Sequence, residues 1–178
     1  MLTPRVTKTF QLFPYRHDFE NGRSNIGGID LTKEPERIDE IHELSEFPRL
    51  TQVVYDINVQ PTPIMTLGCL IEQDNITKIW HAYFDFCFRN PSVNHNKLLY
   101  LDEWYVEDIK NRFGGDFAHQ LKGSLKMEYD SFSMKSEAHN PPNRLYSVFV
   151  SATNQNAIQD FFVDFFSWIR NLSGGHYF

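Results

Sequence analysis

Hydrophobic residues recur every three to four positions along residues 154–172 and predict one long amphipathic helix. Its apolar side is strongly aromatic and holds Ile158, Phe161, Phe162, Phe165, Phe166, Trp168, Ile169 and Leu172. At roughly 100° per residue this side spans about 160°, which is wider than the stripe that contact with one core requires. We therefore expect the helix to be covered by a sheet, by a long loop or by another chain.

The apolar side of this helix divides into a centre and two rims. The centre, which we expect to face a sheet, is formed by Phe165, Ile158, Leu172 and Ile169. Phe166 and Trp168 lie at opposite rims, next to polar positions, so we predict that they bind a partner. The alternative, which the sequence leaves equally open, is that the long loops expected at residues 14–33 and 129–143 cover them.

Alternation with a period of two predicts the strands. The segments concerned are residues 6–13, 50–59, 64–73, 76–89 and 145–151. The remaining helices are predicted between Thr32 and Pro48, where Pro48 would end the helix, and at residues 102–112 and 116–125. The apolar contacts expected of the first are Ile38, Ile41, Leu44 and Phe47. Those expected of the other two are Trp104, Tyr105, Ile109 and Phe113, and Phe117 and Leu121. Because most connections are short, neighbouring strands are expected to pair antiparallel. The chain is thus predicted to be a single α+β domain, residues 1–178, with a mainly antiparallel sheet of about five strands and helices packed on one face.

A tight turn at Asp74 and Asn75 is predicted to join two of the strands into a hairpin. In that register Cys69 faces Trp80, and Cys87 lies roughly 24 Å away along its strand, beyond disulfide reach. We therefore expect two free, buried thiols. The expected core face of the hairpin holds Met65, Leu67, Cys69, Ile71, Trp80, Ala82, Phe84, Phe86 and Phe88.

The opposite face of the hairpin carries the best candidate for chemistry. His81, Tyr83 and Asp85 alternate along one strand and so project to the same side. Gly68 is expected opposite His81, where it would leave open space, and Asp56 and Asn58 on the preceding strand are candidates for the same face. A histidine with nearby carboxylates supports acid–base chemistry. The alternative, which we favour, is the solvated face of a half-buried sheet.

The net charge and the motifs of the chain argue against several classes of ligand. The 178 residues carry a net charge of −6, which disfavours generic binding to nucleic acid. The two helices at residues 102–122 are superficially similar to a helix-turn-helix, but that segment contains five acids and three bases. The polar segment with Arg16, His17, Asp18, Glu20 and Arg23 is a weak candidate for anion binding. No histidine or cysteine pair has metal-ligand spacing, so neither a metal nor a cofactor is expected.

These features favour a non-enzymatic interaction protein with an accessory, regulatory or inhibitory role. We expect its partner to be another protein, with a second copy of this chain (a homodimer) as one possibility, and neither generic nucleic acid nor a membrane. The absence of a continuous apolar run in residues 1–18 makes the cytoplasm the expected location. The alternative function is a small enzyme or ligand-binding domain that uses the face around His81, Tyr83 and Asp85.

Overall fold

The computed structural model describes residues 1–5, 10–12, 14–15, 28–90, 92–134 and 143–172. Within them six strands form one sheet: β1 (Thr3–Pro4), β2 (Phe10–Leu12), β3 (Ile64–Gln73), β4 (Trp80–Phe88), β5 (Leu125–Met134) and β6 (Asn143–Ala152). The order is β1-β5-β6-β4-β3, with β2 also paired to β5. The pairs among β3, β4, β5 and β6 are antiparallel, whereas β1 and β2 run parallel to β5. The prediction of an α+β fold with a mainly antiparallel sheet is confirmed.

The helices cover one face of this sheet. They are α1 (Pro48–Val59), α2 (Leu101–Phe113), α3 (Gly115–Ser124) and α4 (Gln155–Asn171). Three short 3-10 helices span Pro35–Glu40, His42–Leu44 and Lys97–Tyr100. Residues of both the sheet and the helices contribute to the main core cluster.

Helix α4 forms as predicted and begins at the cap residue Asn154, whose side chain accepts a hydrogen bond from the backbone N–H of Ala157 at 2.9 Å. The sheet covers the centre of its apolar side, where Phe84 of β4 contacts Phe162 with ring centroids 4.6 Å apart. Tyr105 of α2 covers one flank through its ring contact with Trp168 at 5.0 Å. The wide stripe is therefore covered by the sheet and by neighbouring helices of the same chain.

The predicted rim position of Phe166 is wrong. Its exposed fraction is 0%, and its ring lies edge-on to that of Phe84 with centroids 5.3 Å apart. Helix α1 runs beside α4, so the apolar stripe on that side continues into the core instead of ending at solvent. Trp168, at the other rim, is half-buried against Tyr105 and Phe165.

The strand predicted at residues 50–59 is also wrong, because Pro48–Val59 is helix α1. Its buried residues, Leu50, Val54, Ile57 and Asn58, are spaced by four, three and one, which fits a helical period. Pro48 does not end a helix here but occupies an opening position of α1, where its missing N–H has no intrahelical partner to lose. The β-branched and aromatic residues of this segment produced the misleading alternation.

Several other predicted boundaries change. The segment before Pro48 forms the two 3-10 helices, and the apolar residues expected on it, Ile38, Ile41, Leu44 and Phe47, are all buried. The loop predicted at residues 129–143 is wrong at both ends, since β5 extends to Met134 and β6 begins at Asn143. Most of the loop predicted at residues 14–33, namely 16–27, lies outside the described residues, as do residues 6–9 and 13 of the first predicted strand.

The β3–β4 hairpin forms, but its register differs from the prediction. Gln73 pairs with Trp80, so six residues form the connection, and Cys69 faces Phe84 instead of Trp80. The Asp74 carboxylate organises this longer turn by accepting the backbone N–H groups of Ile76 and Thr77, both at 2.7 Å.

An irregularity in the pairing between Thr66 and Gly68 then exchanges the two faces of β3. Leu67 joins a second cluster with Cys87, while Ile64 belongs to the main core with Cys69. The face predicted for Met65 and Leu67 is therefore wrong. Both cysteines are free and buried as predicted, and they belong to different clusters.

Candidate functional site

The row His81, Tyr83 and Asp85 lies on β4 and faces away from the helices, as predicted. Each member contacts its cross-strand neighbour on β6. His81 Nδ1 lies 2.8 Å from Ser151 Oγ, and the Asp85 carboxylate accepts a hydrogen bond from Ser147 Oγ. The ring of Tyr83 packs against Phe149 with centroids 5.6 Å apart.

These three side chains do not converge on one point. His81 and Asp85 are four residues apart on an extended strand, which separates them by about 13 Å, too far for the carboxylate to orient the imidazole. Gly68 pairs with Asp85, not with His81 as predicted, and a Cβ atom placed on it would lie an ordinary 3.8 Å from Asp85 Oδ2. The predicted contribution of Asp56 and Asn58 to this face is wrong because both belong to α1.

Glu128 of β5 extends the polar row, since it pairs with Ser147. Arg5 Nε and Lys126 Nζ lie 2.9 and 2.5 Å from its carboxylate oxygens. Partial burial raises the pKa of Glu128, but the hydrogen bonds from Lys126 and Arg5 outweigh this and hold it below its usual value. The Arg5 guanidinium and the Lys126 ammonium also lie 5.4 and 5.8 Å, respectively, from the ring centroid of Phe149. This face is therefore a set of mutually satisfied pairs.

A groove of about 690 Å³ lies on the helical side of the molecule. Residues of α2, α3 and α4 line it, together with the last residues of β6. Phe113 and Phe117 stand at the groove with their rings 5.6 Å apart and are 59% and 51% exposed. We call these two phenylalanines the Phe113/Phe117 pair. Large aromatic side chains in water next to an apolar groove are typical of a binding surface.

The sequence places the Phe113/Phe117 pair through a tight junction between two helices. Gly114 separates α2 from α3 with a φ of +94°, a left-handed conformation that a residue with a side chain would adopt under strain. Phe113 is the last residue of α2 and Phe117 lies in the first turn of α3, and their rings contact each other across the junction. Arg112 also contacts this surface, with its guanidinium 4.8 Å from the ring centroid of Phe113.

Two ion pairs fix the α4 wall of the groove. Arg112 donates to both oxygens of Asp164 at 2.7 and 2.8 Å, and the Tyr105 hydroxyl donates to Asp164 at 2.8 Å. Burial raises the pKa of Asp164, but the hydrogen bonds from Arg112 and Tyr105 lower it by more than burial raises it. The pKa of Asp164 is therefore below its usual value. Arg49 and Asp160 form the second pair, 2.6 Å apart and largely exposed.

The sequence did not identify this site. Phe113 and Phe117 were expected to be apolar contacts of their helices, like Tyr105 and Ile109, which are buried. The available signal was the order Phe113-Gly114-Gly115-Asp116-Phe117, in which two glycines and an aspartate separate the phenylalanines and Arg112 precedes them. Of the two predicted partner-binding residues, Phe166 lies in the core, and Trp168 is half-buried against Tyr105 of α2.

Other kinds of site have less support. Within the described part of the chain, no three histidine, cysteine or acidic residues are grouped so that they could hold a metal ion. No helix among those residues is long and apolar enough to cross a membrane. The candidate anion-binding segment with Arg16 and Arg23 lies outside the described residues.

No protein-family model matches the chain, and no curated protein or solved structure is significantly similar to it.

Proposed function

We propose that this domain is a non-enzymatic interaction protein that acts in an accessory, regulatory or inhibitory role. Its binding surface is the groove between α3 and α4 together with the Phe113/Phe117 pair. The observation that carries the proposal is the simultaneous exposure of these two adjacent rings beside an apolar groove. Aromatic residues near the centre of a surface patch are the usual anchors of protein interfaces.

The energetic argument is one of burial. Complete burial of a phenylalanine side chain is worth about 1.5–3 kcal/mol, and each ring of the pair is roughly half exposed. A partner that covered both rings would gain on the order of 2 kcal/mol from them, which corresponds to roughly thirtyfold in affinity. This gain is large enough for the two rings to decide whether a complex forms.

The enzymatic alternative rests on His81, Tyr83 and Asp85. Its support is weaker, because His81 and Asp85 contact separate serines of β6 and are too far apart to act on the same atom.

Within this proposal the protein works in the cytoplasm. The support is the presence of two buried cysteines that are free, as is usual in a reducing compartment. The partner is another protein, and a second copy of this chain is the competing possibility.

Capture from a lysate of the source cell with three immobilised baits tests the proposed function. The baits are the wild type, the double variant Phe113→Ser with Phe117→Ser, and Ile76→Ser, which removes a 91% exposed residue of the β3–β4 turn that does not line the groove. The proposal expects proteins that the wild type and Ile76→Ser retain and the double variant loses. Identical retention by all three baits would contradict it.

A further inference from the structure

The outer edge of β3 presents backbone hydrogen-bonding groups away from the sheet. Strand β3 is the last strand at one end of the sheet and has β4 as its neighbour. The backbone N–H of Asp74 donates to the carbonyl of Ile79, just before β4, at 2.9 Å. Because bonding to the neighbour alternates along an antiparallel strand, the even-numbered residues of the unbroken register before Asp74 bond to β4. Cys69, Ile71 and Gln73 therefore direct their N–H and C=O groups outward.

The chain itself satisfies the outward groups in the first half of β3 but not those in the second half. The backbone N–H of Thr66 donates to the Asn58 side chain at 3.1 Å, and the Leu67 carbonyl accepts the N–H of Tyr15 at 2.6 Å. Within the described part of the chain, no residue provides such a partner for the outward groups of residues 69–73. Alternating donors and acceptors at this spacing match the backbone of another extended strand.

The opposite end of the sheet has the features that discourage strand addition. There β1 and β2 are two and three residues long, and β1 ends at Pro4. Residues 68–73 contain neither lysine nor proline. The pairing irregularity of β3 lies between Thr66 and Gly68, so it does not interrupt the second half of the strand. The β3 end of the sheet is therefore the one that can accept a further strand.

A second copy of β3 matches this edge in one register. In an antiparallel pair with a two-fold axis at Ile71, that residue faces its equivalent, and Cys69 faces Gln73 of the second copy. Each facing pair would exchange two hydrogen bonds, so no outward group would stay unpaired. A shift of one or two residues would place an outward residue opposite Leu67, whose carbonyl is already bonded, or opposite the β3–β4 turn.

The side chains are compatible with the same register. On the helical side, Ile71 would meet its equivalent, and both Ile71 and Cys69 belong to the main core. On the outer face, the half-buried Leu70 would lie opposite the exposed Glu72 of the second copy. Glu72 is the single charged residue within 68–73, so no two carboxylates of these segments face each other directly.

We infer that two copies of this chain associate through their β3 edges into a two-fold dimer in which the two sheets become continuous. The backbone groups of Cys69, Ile71 and Gln73 form the central hydrogen bonds. None of these residues lines the groove beside the Phe113/Phe117 pair, so the inference does not depend on the proposed function.

Sedimentation equilibrium of the full chain at physiological salt tests the inference. The wild type should form a dimer at micromolar concentration. Gln73→Pro removes an outward N–H without removing a bond to β4, and it should weaken dimerisation tenfold or more. Gln73→Ala is the matched control, because both variants lose the side-chain hydrogen bond to Lys78 but the alanine keeps the N–H. It should dimerise like the wild type.

A pair of charge variants at Leu70 tests the register. Leu70→Lys would place a cation opposite Glu72 of the second copy, whereas Leu70→Glu would place a second carboxylate there. Because the two-fold axis creates this contact twice, Leu70→Glu should dimerise about tenfold more weakly than Leu70→Lys. Circular dichroism should show that each variant is folded, and if Gln73→Pro does not fold, the Leu70 variants decide the outcome.

Three results would overturn the inference. The first is a wild type that stays monomeric throughout the micromolar range. The second is equal dimerisation of the two Leu70 variants, or of folded Gln73→Pro and Gln73→Ala. The third is a dimer that Phe113→Ser with Phe117→Ser dissociates and the β3 variants leave intact, which would assign self-association to the groove.

Discussion

Phe165 and Phe166 are consecutive residues of α4 that fill different parts of the core. Phe165 contacts Tyr105 of α2 at 5.1 Å between ring centroids, and Phe166 contacts Phe84 of β4 at 5.3 Å. Both side chains have an exposed fraction of 0%. Sequence periodicity correctly placed Phe165 at the centre of the stripe, but it placed Phe166 at a rim because a helical wheel does not show that α1 packs beside it.

The first prediction concerns these rings. Phe165→Ala and Phe166→Ala should each lower the free energy of unfolding by about 3–5 kcal/mol, because each leaves a cavity in a close-packed core. Trp168→Ala should cost less, since Trp168 is half-buried. Urea unfolding followed by circular dichroism measures all three, and a Phe166→Ala variant within about 1 kcal/mol of the wild type would contradict the packing described here.

The second prediction concerns a buried polar network that hydropathy alone could not predict. Asn58 donates to Thr66 Oγ1 at 2.7 Å and accepts the Thr66 backbone N–H at 3.1 Å, and Thr66 Oγ1 also contacts the Tyr15 hydroxyl at 2.5 Å. Asn58→Ala leaves buried groups of Thr66 without these partners and should cost about 1–3 kcal/mol or more. The matched control, Asn111→Ala on the exposed side of α2, should stay within about 0.5 kcal/mol of the wild type in the same urea experiment.

At the scale of elements, the sequence predicted most accurately those helices and strands that bury one face along their whole length. Helix α4 and strand β6 were found because their apolar periods run without interruption. Helix α1 was mistaken for a strand because valine, isoleucine and tyrosine also alternate along it. The pairing irregularity near Leu67 could not be predicted, since exchanging the faces of β3 depends on its neighbours in the sheet.

The third prediction concerns the joint between α2 and α4. The pKa of Asp164 is lowered in the folded protein, so its contribution to stability is complete above its unfolded value of about 3.9 and is lost as the pH falls through the lower folded value. Asp164→Asn should therefore lower stability at pH 7 and make the stability less dependent on pH below about 4. Thermal melts between pH 2 and 7 measure both effects.

Asp160→Asn is the matched control for this joint. Its carboxylate and the paired Arg49 are both about 60% exposed, so the variant should cost less than about 1 kcal/mol. An Asp160→Asn variant that destabilises as much as Asp164→Asn would show that the bidentate pair with Arg112 is not what joins the two helices.

At the scale of the whole molecule, the α+β fold class and the packing of helices on one face of the sheet could be predicted from the sequence. The groove with the Phe113/Phe117 pair could not. Apolar periods predict which residues avoid water, and they predicted burial for Phe113 and Phe117 as for Tyr105. Which apolar residues remain uncovered depends on how α3 sits against α4 and β6, and those positions are distant in the chain. The groove is thus a property of tertiary packing that periodicity cannot show.

The fourth prediction tests whether both cysteines are free and buried. Burial raises the pKa of the Cys69 thiol, and Cys87 is buried in the second cluster. Both thiols should react slowly with an aromatic disulfide reagent in the native protein. After denaturation without reductant, two thiols per chain should react, whereas finding none would show that Cys69 and Cys87 are oxidised.

The central claim is that the helical side of the domain, and not the outer face of the sheet, binds the partner. Hydrogen–deuterium exchange of the free chain and of the complex recovered by capture tests it most directly. We expect exchange to slow in α3 and in the adjoining parts of α2 and α4, with β4 unchanged around His81, Tyr83 and Asp85. Slower exchange confined to β4 and β6, with α3 unaffected, would contradict the account and favour the outer face of the sheet.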